Sequence, residues 1–586
     1  MPLDRRQFVL SSGVAVALPL APLVPLGCAP ASHIRVPPGE TTGEPGPTTT
    51  DAIAAAERIM WVEYTPEERA LLVRTLDEQL DLVRKRRALE MPVELAPAVI
   101  FDPVLPGTAL PEVGRGAVRW AAPPRGDVPK DETAIAYAPV GQLHDWLRRR
   151  KLTSAALTRL YLSRLEKIGP ALECVVTLTK ELARIQAAEA DKEIRRGRMR
   201  GPLHGIPYGL KDLFDTRGIA TTWGAEPYRG RVPPRDAVVV ERLAAAGAVL
   251  CAKLSLGALA YGDIWFGGRT RNPWNRNEGS SGSSAGPAAA TAAGLVGFAV
   301  GTETLGSIVS PSSRCGVAGL RPTFGRVART GAMPLCWSLD KVGALGRTVE
   351  DCAMVLDAVH GRHDGDPASR TRAFAFDARR GARGRTVGYV PEWFEGKQAT
   401  GPDMFALRKL AGLGARLVKI ELPRLPFDAL LPILLAEAAA SFEPLTLTNQ
   451  DDQLKWQDRE AWPNTFRAAR FISAVDLVQA ERLRRQVMEA MGRLMATVDL
   501  LISPPNEELL VATNFTGHPS LTLRVGFVER RTRSGPGDQQ TGSGPRFRVP
   551  RCLTLWGRLF DEGTLCEVGR DLERAIGVWH ERPPAA

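Results

Sequence analysis

Apolar positions recur at helical intervals from Ile53 through Ile59, Met60, Leu71, Leu72, Leu76 and Leu80 to Leu82, so residues 51–90 are predicted to be helical. From Met91 to Glu132 prolines return at short intervals (Pro92, Pro97, Pro103, Pro106, Pro111, Pro123, Pro124, Pro129), which predicts extended or loop-like chain. From about Ile135 the pattern changes. Val140 to Gly169 reads as amphipathic helices, and Leu182 to Gly197 as another with the basic last turn that a helix dipole favours. Ile206 to Leu210 is a short apolar run between Gly205 and Lys211 and reads as a strand. Asp236 to Ala246 reads as a helix stopped by Gly247, and Ala248 to Lys253 as a second strand. Helices alternating with short apolar runs predict an α/β fold, a sheet with helices on both faces.

The N-terminus carries a different signal. Asp4-Arg5-Arg6-Gln7-Phe8 followed by an apolar stretch to Gly27 has the form of a twin-arginine export signal. Pro19, Pro22 and Pro25 argue against a membrane-spanning helix in the same stretch. Leu26-Gly27-Cys28 resembles the end of a lipoprotein signal, which would make Cys28 a lipid attachment point to the membrane; ordinary peptidase cleavage nearby is the alternative. The expected organisation is therefore a signal at 1–28, a Pro/Gly/Thr-rich linker at 29–50, a helical then Pro-rich extension at 51–134, and a catalytic domain at 135–583. The expected location is the periplasm or cell envelope.

Composition adds exclusions. The net charge of +11 is spread along 586 residues without a dense basic tract interleaved with aromatics, so a nucleic-acid surface is not indicated. Beyond Cys28, seven cysteines (Cys174, Cys251, Cys315, Cys336, Cys352, Cys552, Cys566) show no C-x-x-C pairing and read as buried thiols rather than a disulfide framework. No H-E-x-x-H or clustered His/Cys set suggests a metal site, and no cofactor is expected.

The chemistry concentrates between Gly279 and Gly325. Gly279-Ser280-Ser281-Gly282-Ser283-Ser284-Ala285-Gly286 leads into an Ala-rich helical stretch, Ala288 to Ala293, and a buried strand, Leu295 to Val300. Gly301-Thr302-Glu303-Thr304-Leu305-Gly306-Ser307-Ile308-Val309-Ser310-Pro311 follows. A Gly/Ser tract joined to core-like elements is not a linker, and a tight turn after a strand can aim several backbone N–H groups at one point. Two short matches to other hydrolases are set aside. Gly282 to Gly286 fits G-x-S-x-G, but the preceding Asn272 to Glu278 reads as loop, where that motif needs a strand. Ser338-Leu339-Asp340-Lys341 fits S-x-x-K, but Arg329-Thr330-Gly331 precedes it, the wrong order for the partner motif.

Gly201-Pro202-Leu203-His204-Gly205-Ile206-Pro207 with Lys211-Asp212 behind it, the Gly/Ser blocks, and Cys315-Gly316-Val317-Ala318-Gly319-Leu320-Arg321-Pro322-Thr323 together resemble the ordered motifs of amidase signature enzymes. Asn514-Phe515-Thr516-Gly517-His518-Pro519 and Gly557-Arg558-Leu559-Phe560-Asp561-Glu562 are similar to that family's C-terminal landmarks. The resemblance spans roughly residues 135–580. It implies a mixed central β-sheet covered by helices on both faces, with the N-terminal helical extension outside it. It also implies a Ser-Ser-Lys set: Ser307 as nucleophile, Ser283 as a bridging serine after a cis peptide, and Lys211 as base. The backbone N–H groups of Thr304, Leu305, Gly306 and Ser307 would hold the oxyanion. The expected reaction is hydrolysis of a small carboxamide through an acyl-enzyme, releasing ammonia or an amine, with no stable partner subunit required. At its ordinary pKa near 10.4 a lysine would be free base in roughly one molecule per few thousand at pH 7. Burial at a strand end would lower that pKa and make Lys211 usable.

Four positions depart from the family pattern: Glu303 for Asp, Leu305 for Gly, Val309 for Arg and Ala285 for Gly. A positive φ at Leu305 would be strained. Val309 in place of Arg would remove an ion pair with residue 303. The alternatives are an esterase or peptide-terminal amidase using the same residues, or an inactive amidase-like binding protein. Export argues against the role of the tRNA-dependent amidotransferases of that family, whose partners are cytoplasmic. His204 and His518 read as packing residues; Trp265, Phe266 and Trp337 could line an acyl pocket, with core packing the default reading. Arg530 to Arg546 reads as a loop.

Overall fold

Short apolar segments ending in a charged residue set the frame of the molecule. In the computed structural model, which describes residues 48–110, 118–396, 399–505, 507–534 and 540–584, eleven strands form one mixed sheet. They are β1 (Val175–Leu178), β2 (Pro207–Lys211), β3 (Val249–Leu254), β4 (Phe298–Glu303), β5 (Ala318–Arg321), β6 (Lys341–Gly346), β7 (Thr386–Tyr389), β8 (Arg416–Lys419), β9 (Leu500–Ser503), β10 (Ser520–Ser534) and β11 (Gln540–Gly557). Their order across the sheet is β1-β3-β2-β4-β6-β5-β10-β11-β9-β7-β8. β2 runs parallel to β3 and β4, and β7 parallel to β8 and β9; the other pairs are antiparallel.

Both faces of the sheet are covered. Every residue of β2, β3, β4, β5, β6 and β9 is buried, as expected of strands without a solvent face. Along β4, Phe298 and Val300 join one apolar cluster and Ala299 another, the two-residue alternation of a strand between two layers. The helices Ser154–Leu172, Lys180–Arg195 and Ala285–Ala292 contribute Leu165, Ala187 and Ala289 to the cluster of Ala299. Val349–Val359 and Glu562–Ile576 contribute Val355 and Val568 to the other.

The consequence for function lies at one sheet edge. β2 and β4 are parallel neighbours that end in Lys211 and Glu303, and β6, antiparallel to β4, begins with Lys341 directly opposite Glu303. Three charged residues therefore gather where apolar strands end, the position at which parallel strands commonly present ligand sites.

The helices predicted over 51–90 are Thr50–Met60 and Pro66–Arg87, the second opened by a capping box between Thr65 and Glu68. The Pro-rich stretch behind them is pinned to the rest of the molecule. Phe101 meets Phe324 edge-on with ring centroids 5.1 Å apart, the Arg484 guanidinium lies 3.5 Å over the Phe101 ring, and Asp102 pairs with Arg370 at 2.6 Å. Arg86 reaches Glu443 in a two-pronged ion pair at 2.5 and 2.9 Å.

Three expectations need correction. Residues 530–546 were expected as loop, yet 530–534 and 540–546 belong to β10 and β11, where alternating hydrogen bonding extends the hairpin past its buried base. Asn272–Glu278 was expected as loop and instead includes a two-stranded hairpin of Arg271–Asn272 with Asn275–Gly279, apart from the main sheet. The strand expected at Leu295–Val300 lies three residues later, because Leu295 closes the preceding helix through an N–H bond to the Ala290 carbonyl. The seven cysteines from Cys174 to Cys566 are free and buried. The signal segment 1–28, with Cys28, and the linker up to residue 47 lie outside the described residues.

Candidate active site

The last residue of β2 is shut away from the surface. Lys211 is fully buried, and its Nζ lies 2.8 Å from Ser283 Oγ, 3.1 Å from Ser284 Oγ, 2.9 Å from Thr302 Oγ1 and 3.4 Å from the Thr302 carbonyl. Burial pushes its ammonium well below the ordinary lysine range, against the pull of the Asp340 and Glu303 carboxylates. The next residue, Asp212, pairs with buried Lys253 of β3 at 2.9 Å and accepts from the Thr222 backbone at 2.9 Å, which fixes the strand end that carries Lys211.

Ser283 reaches the lysine from a turn that only glycine permits. A Cβ on Gly282 would sit 1.8 Å from the Gly262 carbonyl oxygen, and the Gly282–Ser283 peptide is cis. The helix Ala285–Ala292 starts two residues later. Ser284 ties this turn to β4: its hydroxyl donates to the Thr302 carbonyl at 3.0 Å and accepts from the Thr302 amide at 3.2 Å. The Ser284 amide donates to the Ser307 carbonyl at 3.1 Å, so the turn and the loop after β4 are held side by side.

That loop, Thr304 to Ser307, is organised by Glu303. One carboxylate oxygen accepts from the Ile308 and Val309 amides at 2.8 and 2.9 Å. The other accepts from Arg321 Nη1 at 2.6 Å and Asn514 Nδ2 at 2.9 Å. Burial alone would raise the Glu303 pKa, but Arg321, the Val309 amide and Asn514 outweigh it and hold the carboxyl at about 2. Arg321 is itself buried and donates from Nη2 to Thr513 Oγ1 and the His518 carbonyl at 2.9 and 2.7 Å. The ion pair expected to be missing at residue 303 is therefore present, supplied by Arg321 rather than by position 309. Leu305 is not strained either. The left-handed backbone falls on Gly306, with φ 88°, and the Leu305 side chain packs half-buried against the core. Among the described residues, no backbone hydrogen bond engages the amides of Thr304, Leu305, Gly306 or Ser307.

Beside this loop is a cavity of roughly 130 Å³. Thr302, Thr304, Leu213, Ala260 and Trp337 are among the residues that line it. Asp340 and Lys341, set aside in the sequence as a chance motif, also line it. Asp340 accepts from Thr304 Oγ1 at 2.6 Å and from the Leu335 and Cys336 amides at 2.8 and 3.0 Å. Lys341, buried, donates to the Leu339 carbonyl; burial and the neighbouring Arg321 push its ammonium well below the ordinary range.

The arrangement thus brings Lys211 and Ser283 into contact and sets the Ser307 loop against them. The histidines pack as expected: His204 accepts from the Arg200 amide at 3.1 Å, and His518 is buried against Thr516 at 2.7 Å, where burial lowers its pKa to about 3. Trp265 bonds to the Glu173 carbonyl at 3.1 Å and packs on Phe266. Trp337 is among the residues that line the cavity, the alternative to its default core reading. Sequence reasoning did not single out Thr302, Ser284, Arg321 or Asn514 as site residues. The last two do stand in motif blocks it recognised.

A family model described as Amidase matches residues 156–511. The chain is 37% identical over 507 residues to a glutamyl-tRNA(Gln) amidotransferase subunit of Dehalococcoides mccartyi, covering 77% of this chain and 99% of that protein. A protein of the same name from Chloroflexus aggregans is 31% identical over 505 residues, with 77% and 99% covered. Among solved structures, the native peptide amidase of Stenotrophomonas maltophilia superposes with a TM-score of 0.65 at 29% identity, covering 76% of this chain and 98% of that one. A peptide amidase in complex with the competitive inhibitor chymostatin is similar at 30% identity and a TM-score of 0.65, covering 77% and 99%.

Proposed function

Because the chain belongs to the Amidase family, we propose that it hydrolyses a carboxamide C–N bond through an acyl-enzyme on Ser307. The observation that carries this reading is a buried lysine with a depressed pKa, 2.8 Å from the hydroxyl of a serine whose neighbour binds the Ser307 backbone. An alcohol becomes a useful nucleophile when a positioned base takes its proton. In this reading Ser307 Oγ attacks the carbonyl carbon, and its proton passes by way of Ser283 to the free amine of Lys211. The amides of Thr304 to Ser307 receive the negative charge that develops on the carbonyl oxygen. Collapse breaks the C–N bond, the same proton returns through Ser283 to the leaving nitrogen, and ammonia or an amine departs. Water then attacks the ester by the same relay and frees Ser307.

Free-standing hydrolysis is preferred over service within an amidotransferase, the name its curated relatives carry. The twin-arginine pattern at Arg5-Arg6 supports an exported enzyme acting in the periplasm or cell envelope on a small amide, with no obligate partner. The peptide amidases among the structural neighbours support an amide-bearing peptide or similar small molecule as substrate.

The test is ammonia release from a panel of primary amides by purified protein lacking residues 1–28, beside Ser307→Ala. Release abolished by the substitution is the expected result. Substantial release by the Ser307→Ala protein would sink the assignment. Ester cleavage without ammonia release would shift the reading to an esterase.

A further inference from the structure

The cavity beside the Ser307 loop is not walled by the family-matched region alone. Glu94 and Ala96, from the Pro-rich part of the extension, line it together with Thr302, Thr304 and Trp337, although the family match begins only at residue 156. The segment that brings them there is shaped locally and anchored on both sides. The Leu95 amide donates to the Pro92 carbonyl at 3.0 Å, which turns the chain at Glu94. Upstream, Arg86 holds Glu443; downstream, Phe101 meets Phe324 edge-on and lies under the Arg484 guanidinium, and Asp102 pairs with Arg370.

Among the charged residues that line the cavity, Glu94 alone is exposed. Arg329 is occupied by Asp366, with bonds of 3.0 and 2.9 Å, and by the Trp337 carbonyl at 2.6 Å. Asp340 accepts from Thr304 and two amides, and burial raises its pKa, which disfavours the charged form there. Lys341 is buried where a charge is disfavoured. Arg370, nearby, belongs to Asp102. Glu94 is exposed, and among the described residues no cation pairs with it. Trp337 is an aromatic residue of the same cavity wall, and a carboxylate together with an aromatic residue is a combination suited to a cation.

We propose that the N-terminal extension completes the substrate pocket, and that Glu94 selects amides carrying a positively charged group beyond the scissile bond. The proposal rests on the amidase reading and names the substrate class for that site. The extension is then a specificity element added to a family catalytic domain, and the preference is electrostatic rather than steric.

The experiment compares kcat/KM for three primary amides of matched size, one cationic, one neutral and one anionic, at low and high salt. An exposed ion pair of this kind supports a preference of about two- to fivefold. Wild type should favour the cationic amide over the neutral one by that margin and lose the margin at high ionic strength, where exposed charges are screened. Glu94→Gln should bring the cationic-to-neutral ratio to about one, and Glu94→Arg should invert the order in favour of the anionic amide. An unchanged ratio in both variants, or one indifferent to salt, would overturn the role of Glu94 while leaving the amidase reading standing. No turnover of any amide by wild type would overturn both.

Discussion

Glu303→Gln probes how the loop of Ser307 is held. The substitution keeps the shape of the side chain but removes the charge, and turns one acceptor into a donor facing groups that already donate. Four donors converge on this carboxylate: the Ile308 and Val309 amides, Arg321 and Asn514. Arg321 is fully buried, so its charge would be left without a carboxylate. Two routes give the size of the effect. A carboxyl held at about 2 instead of the ordinary 4.5 corresponds to about 3 kcal/mol favouring the charged form. Breaking a buried ion pair from one side typically costs about 3–5 kcal/mol. A loss of about 3 kcal/mol at pH 7 is therefore expected, read from the urea unfolding midpoint and the melting temperature. The pH dependence has a definite sign. A depressed carboxyl stabilises fully above its unfolded pKa and loses that contribution as pH falls toward its folded one. The gap between wild type and variant should thus be widest above about 4.5 and narrow as pH falls toward about 2. A variant within about 0.5 kcal/mol of wild type at pH 7, the scatter of a surface substitution, would refute the reasoning. So would a gap that stays constant between pH 6 and pH 3.

Lys211→Ala should impair amide hydrolysis far more than cleavage of an activated ester, since only the amine leaving group needs the returned proton; steady-state rates on a matched pair test this, and equal losses on both would exclude the relay. Because burial holds Lys211 well below the ordinary lysine range, kcat/KM should rise with pH through an acidic limb whose midpoint lies well under 10.5, and that limb should vanish in Lys211→Ala. Gly306→Ala places a side chain at φ 88°, with its Cβ 3.1 Å from both Leu510 and Ser310. Left-handed backbone costs such a residue about 1–2 kcal/mol, and displaced oxyanion donors should lower kcat by tens-fold or more; unchanged kcat would show that this loop does not hold the oxyanion.

Much of this architecture is legible in the chain because burial on both faces leaves an unmistakable pattern. The runs at 206–210 and 248–253 predict β2 and β3 within a residue or two, and Lys211 at the end of an apolar run marks a charge at a sheet edge. What stays hidden depends on partners distant in sequence. Arg321 reaches Glu303 across 18 residues and Asn514 across 211, so neither hydrogen bond follows from local spacing. The strain that a positive φ would bring at Leu305 does not arise, for a local reason: the next residue, Gly306, takes the left-handed conformation. The β10–β11 hairpin was misread because its outer half, rich in Gly, Ser and Arg, has no core beneath it and is held by backbone pairing that composition does not report. The cavity wall formed by Glu94 and Ala96 was equally invisible, since nothing in a Pro-rich stretch says where it lies.

In the proposed mechanism Ser307, and not the two serines beside Lys211, carries the acyl group. Reaction with a fluorophosphonate followed by peptide mapping in a mass spectrometer reads this directly. A single adduct per chain is expected, on the peptide bearing Ser307, and none in Ser307→Ala. An adduct on Ser283 or Ser284, or labelling that survives Ser307→Ala, would contradict it.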